Sequence, residues 1–146
     1  MKKIALFFIY ALSLLSLIGC DFNAPLRNKM LNYYNQDENY SQLIGVVKAM
    51  EYFEESERLF IEIDFSTEND FPENAVTGYG EFVLIGGLVD ESDLCIDDTI
   101  TFLSAPMYFY NGHQLPIVYL EKEGEILLPF DEGKEEYLNW IKQELR

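Results

Sequence analysis

From Ser41 onward the apolar side chains of this chain recur at every second position, where before they recur at every third or fourth. That change of period restricts the fold more than any other feature, because a period of two puts one face of an extended strand on a core and leaves the other to solvent. The cleanest stretch is Leu59, Ile61, Ile63 and Phe65, which alternate with Phe60, Glu62 and Asp64. Residues 43–53, rich in Val, Ile and aromatics, precede it, with Gly45 a candidate bulge or bend. The polar run Glu54-Glu55-Ser56-Glu57 then joins the two into a long hairpin.

Further strands are expected at 81–85, stopped by Gly86-Gly87, and at 99–103, broken by Pro106. A polar connection precedes the first of these at 66–78, and the acidic stretch 89–98 between them has room for one helical turn. Residues 107–110 run into Asn111-Gly112, the strongest short hairpin signal in the chain, and 115–120 return as a strand. Pro116 there suggests a sheet edge, and Glu123-Gly124 turns the chain into a last strand at 125–128. Only the ends read as helical. Residues 25–36 place Leu26, Met30, Leu31 and Tyr34 at helical spacing, with Pro25 tolerated in the first turn. The C-terminal segment sets Tyr137, Leu138, Ile141 and Leu145 on one face, with Asp131 as N-cap and Lys142 and Arg146 suited to its end.

No repeat or linker divides the chain, so residues 25–146 are expected to form a single acidic, β-rich domain. The fold class is mainly β (α+β): a small antiparallel barrel, OB-fold-like, with a short N-terminal helix and a C-terminal amphipathic helix. A sandwich, or an open sheet packed on the C-terminal helix, would satisfy the same pattern.

The N-terminus carries a different signal. Met1-Lys2-Lys3 is followed by an apolar run over 4–18 that only Ser13 and Ser16 interrupt. As a helix the run would reach roughly 22 Å, short of the ~30 Å hydrocarbon core, which suits a secretory h-region better than a permanent span. It ends in Leu17-Ile18-Gly19-Cys20. All four positions resemble the lipobox of bacterial lipoprotein precursors. The resemblance, which covers residues 1–20 alone, implies that the Cys20 thiol receives diacylglycerol and that a type II signal peptidase cuts after Gly19. Residues 1–19 would then be a signal peptide and 20–24 a lipid-anchored tether. The protein would lie outside the cytoplasm, on the outer face of the cytoplasmic membrane. Asp21 resembles an inner-membrane retention signal if the host is Gram-negative and has no such meaning otherwise. An uncleaved anchor or an ordinary secretory peptide is the alternative.

Charge restricts the partners. The chain carries −16, and loss of Lys2 and Lys3 with the first 19 residues leaves −18 on 127 residues. About 45% of those are hydrophobic, enough for a core. So acidic a surface does not suit DNA or RNA, whose phosphates need Lys and Arg. With Cys20 lipidated, Cys95 is alone and no intramolecular disulfide is possible. Its neighbours Leu94 and Ile96 suggest a buried thiol acting as a small hydrophobe, and the adjacent Asp97-Asp98 would raise its pKa.

Fifteen acids against the single base Arg58 fall between positions 51 and 98. Asp90-Glu91-Ser92-Asp93 with Asp97-Asp98 invites a calcium site, but the EF-hand glycine and terminal glutamate are missing, and a solvated acidic loop is the simpler expectation. The segment Tyr108-Phe109-Tyr110-Asn111-Gly112-His113 holds the only histidine. Tyr108, Tyr110 and His113 are therefore the candidate partner-binding residues, set against ordinary packing. The chain has no Gly-x-Ser-x-Gly, no phosphate loop and no zinc-ligand set, although two of its many carboxylates would suffice for a glycosidase. The expectation is a non-catalytic, membrane-anchored interaction module for a cationic protein or envelope component, without a cofactor or metal. An envelope glycan binder or hydrolase using Tyr108, Tyr110 and a carboxylate pair is the alternative.

Overall fold

A computed structural model describes residues 23–65, 79–85, 87–105 and 114–145. Helix α1 (Ala24–Tyr34) leads through a 3-10 turn (Asp37–Asn39) into β1 (Ser41–Phe53), the longest strand. There follow β2 (Arg58–Phe65), β3 (Tyr79–Ile85), β4 (Thr99–Ser104), β5 (Gln114–Pro116), β6 (Tyr119–Lys122), β7 (Glu125–Leu128) and helix α2 (Phe130–Glu144). The strands form one mixed sheet in the order β5-β3-β2-β1-β4-β6-β7. Every neighbouring pair is antiparallel except β3 and β5, which are parallel. Among the described residues the architecture is mainly β, with two helices and a sheet whose end strands do not pair with each other.

The long hairpin forms as its alternation requires. Leu59, Ile61, Ile63 and Phe65 are buried, and β1 buries Val47 opposite Ile63 and Leu43 opposite Phe102 of β4. Together with Phe82, Ile100, Phe102, Leu115 and Leu120 they make the main core on one face of the sheet. Gly45 does not mark a bulge. It admits Ile63, whose Cγ2 would stand 2.3 Å from a Cβ at that position. The bulge comes one turn of the pleat later, between Val47 and Ala49, where Lys48 is the extra residue.

The second core lies on the other face, where α1 and α2 pack antiparallel over β3 and the β5–β6 segment. Arg27 near the start of α1 donates to the Leu145 carbonyl (2.6 Å), and Lys134 near the start of α2 donates to the Asn35 carbonyl (2.8 Å) and to Asp37. Met30, Tyr34, Tyr137 and Ile141 are buried between helices and sheet. Burial pushes the Tyr34 and Tyr40 hydroxyls above the ordinary phenol value, and Tyr40 spends its proton on the Tyr34 carbonyl (2.7 Å). Gly133 lets α2 touch the sheet, since a Cβ there would lie 2.3 Å from the Val118 carbonyl oxygen. The N-cap of α2 is Pro129 rather than Asp131, which falls in the first turn and favours the helix dipole without capping it.

The expected single strand over 115–120 is two strands. β5 pairs with β3, then Ile117 and Val118 cross over, and β6 pairs with β4. During the crossing Ile117 N–H donates to the Val83 carbonyl (2.9 Å) and Val118 N–H to the Leu103 carbonyl (3.0 Å). The buried Ser104 hydroxyl donates to the Pro116 carbonyl (2.7 Å). The sheet is therefore mixed rather than wholly antiparallel: β3 and β4 run in opposite directions, so the continuous β5–β6 segment, antiparallel to β4, lies parallel to β3. Pro116, with no N–H to give, does sit on an end strand.

Candidate interaction surface

All the candidate residues read from the sequence, Cys20, Tyr108, Tyr110 and His113, lie outside the described residues, as does the Asn111-Gly112 turn. The strongest surface among the described residues is the closed end of the β1–β2 hairpin. Here β1 runs on past β4, which pairs with it only as far as Val46. Phe53 and Arg58 face each other across the end of the hairpin, joined by the 3-10 turn Glu54–Ser56 and by Glu57 in the left-handed region (φ 49°). Tyr52 is 38% and Phe53 43% exposed.

Arg58 lies inward of this rim. Its guanidinium sits over the Trp140 ring at 4.7 Å, and Nη2 lies 3.5 Å from Glu144. Trp140 stacks on Tyr137 (5.4 Å, 16° between planes), and Phe53 meets Phe60 edge-on at 5.0 Å. Arg58, the only base between positions 51 and 98, is thus engaged with α2. Glu51, Glu54, Glu55 and Glu57 surround the two exposed aromatics, with no ion-pair partner among the described residues. Apolar ring faces bordered by carboxylates suit a cation with an apolar stem, which stacks while its charge is neutralised.

The acidic loop before β4 is different. Asp90 caps its own turn, accepting from the Ser92 N–H (2.8 Å) and hydroxyl (2.6 Å). Asp98 accepts from Lys122 Nζ (2.7 Å) and from the Cys95 N–H (2.7 Å), and the Lys122 hydrogen bond holds its carboxyl below the usual carboxylate range. Lys122 also reaches the Asp93 carbonyl (3.1 Å), and Lys48 lies 3.5 Å from Asp97. These carboxylates are used in shaping the loop, and no group of three or more His, Cys, Asp or Glu suited to a metal occurs among the described residues. Cys95 is exposed, contrary to expectation: Leu94 takes the buried position, and the left-handed Asp97 (φ 72°) turns the chain.

No helix among the described residues is long and apolar enough to cross a membrane. No family model, curated protein or solved structure matches this chain.

Proposed function

We propose that this chain is an extracytoplasmic lipoprotein, anchored through Cys20, that serves as a non-catalytic interaction module for a cationic protein or envelope component. The observation that carries the reading is the hairpin end, where Tyr52 and Phe53 stand exposed beside four carboxylates that have no ion-pair partner among the described residues, on a mature chain of charge −18. The apolar run and the Leu17-Ile18-Gly19-Cys20 tetrapeptide support the anchor. The finer architecture we propose is an OB-type barrel. Its support is the order β1-β2-β3-β5, with β1 also pairing β4, together with the three hydrogen bonds from Ser104, Ile117 and Val118 that draw β3, β5 and β4 toward one another.

The test is a crosslinking pull-down from native envelopes with the anchored chain, run at low salt and at half-molar salt. A basic protein or polycationic component recovered at low salt and lost at high salt supports the reading. Recovery that half-molar salt leaves unchanged defeats its electrostatic basis, and recovery of glycan instead would move Tyr108, Tyr110 and His113 to the front. Replacing Cys20 by Ser should abolish incorporation of labelled fatty acid; persistent labelling would refute the anchor.

A further inference from the structure

The direction of the backbone groups along β1 makes the cationic reading more specific. The Val47 N–H donates to the Asp98 carbonyl (2.9 Å), and the Val47 carbonyl accepts from Asp97 N–H (2.8 Å), so both Val47 groups point away from β2. Val47 is opposite Ile63. Because the ladder alternates with a period of two, the partners of Ile61 and Leu59 must also point their groups away from β2. Those partners are Met50 and Tyr52. β4 no longer runs beside them, and no described residue hydrogen-bonds to their outward N–H and C=O groups. The bulge at Lys48 shifts the register and leaves this alternation intact on β2.

From this geometry, and resting on the cationic reading above, we propose that β1 beyond its bulge is a docking edge. It receives an extended partner segment with Lys or Arg at alternate positions and apolar residues between them, added as a further strand beside residues 49–53. The two outward residues offer four ladder hydrogen bonds. On one face of the added strand a basic side chain meets Glu51 and stacks on Phe53; on the other, an apolar side chain covers Met50 and Tyr52. A second copy of this chain is a poor occupant. It would set its own acids against Glu51, Glu54, Glu55 and Glu57, and a charged, bulged edge is how proteins avoid pairing with themselves. The other sheet ends suit docking less: β5 has three residues, one of them proline, and β7 has four.

The experiment uses the full chain in uncharged detergent at low salt, with two capped nine-residue peptides of equal charge. One alternates Lys and Val; the other has proline in place of every valine, so it keeps the charge and cannot form a ladder. The proposal expects the alternating peptide to bind at least tenfold more tightly, and Glu51→Lys to weaken it at least tenfold. It also expects amide exchange at Met50 and Tyr52 to slow at least tenfold on binding. Equal binding of both peptides, without protection at Met50 and Tyr52, would overturn the docking edge and leave the cationic reading standing. Binding of neither would overturn both.

Discussion

Gly133→Ala sets intrinsic helix preference against packing. The position lies inside α2, where alanine should gain about 1 kcal/mol over glycine through backbone entropy alone. The structure predicts the opposite outcome. A Cβ at Gly133 would lie 2.3 Å from the Val118 carbonyl oxygen, 2.8 Å from its carbon and 2.9 Å from its Cα. All three are backbone atoms of the crossing between β5 and β6, which hydrogen bonds fix to Val83 and Leu103. Relief to ordinary contact requires α2 to retreat by about 1 Å, which loosens Tyr137 and Ile141 from the second core. Overpacking of this kind costs roughly 1–3 kcal/mol, and here the rigid partner puts it at or above the upper end. After the helix gain is subtracted, the expected loss is about 2 kcal/mol, or a fall in Tm of roughly 6–10 °C for a domain of this size. Reversible urea unfolding followed by circular dichroism measures it directly. A variant as stable as the parent, or more so, would refute the close seating of α2 on Val118.

The other predictions concern the crossing, the charges and the thiol. Ser104→Ala leaves the buried Pro116 carbonyl without its donor and should cost about 1–2 kcal/mol in urea unfolding; a neutral result would mean that this bond does not fasten β4 to β5. With a net charge of −16 on the chain, 0.3 M NaCl at pH 7 should raise Tm by relieving self-repulsion, and a falling Tm would mean that the few ion pairs outweigh the excess acid. The Asp98 carboxyl titrates below its unfolded value, so its pairing with Lys122 contributes fully above the ordinary carboxylate range and is lost as pH falls through the lowered value. Asp98→Asn should therefore flatten the acid limb of the stability curve below about pH 4, and an unchanged limb would refute the pairing. Cys95 should react stoichiometrically with a thiol reagent in the native protein, and protection until unfolding would contradict its exposure.

The strand pattern was readable where the pairing is local. β2 shows its buried face residue by residue, and both helices show theirs through Met30, Tyr34, Tyr137 and Ile141. The crossing at Ile117-Val118 was not readable, because residues 115–118 are all buried and so show no alternation there. One core takes Leu115 and Ile117 and the other takes Val118, so which strand each pairs with depends on β3 and β4, far away in sequence. Cys95 and Gly45 depart from their sequence pattern for a related reason. Apolar neighbours suggest burial and a strand glycine suggests a bulge, but a bend at Asp97 and the approach of Ile63 decide the matter. The hairpin end does not stand out in the sequence, because Tyr52 and Phe53 look like ordinary strand hydrophobics. The available signal was the acids on both sides of them, in Glu51-Tyr52-Phe53-Glu54-Glu55.

The antiparallel pairing of α1 and α2 also decides which way an anchored domain would face. Arg27 meets Leu145, Glu144 meets Arg58, and Arg58 lies opposite Phe53, so the start of α1 and the closed end of the hairpin share one pole of the molecule. Ser41, and Ser104 opposite it, mark the far end of β1. From Cys20 to Ala24 a fully extended chain spans at most about 14 Å. A lipid on Cys20 would hold that pole within a few side-chain lengths of the headgroups, turning Tyr52, Phe53 and the open β1 edge toward the bilayer plane. A bulky soluble protein would find little clearance there. A partner confined to the same membrane, with a short basic segment lying along its surface, would meet the edge by lateral diffusion, and the search would take place in two dimensions.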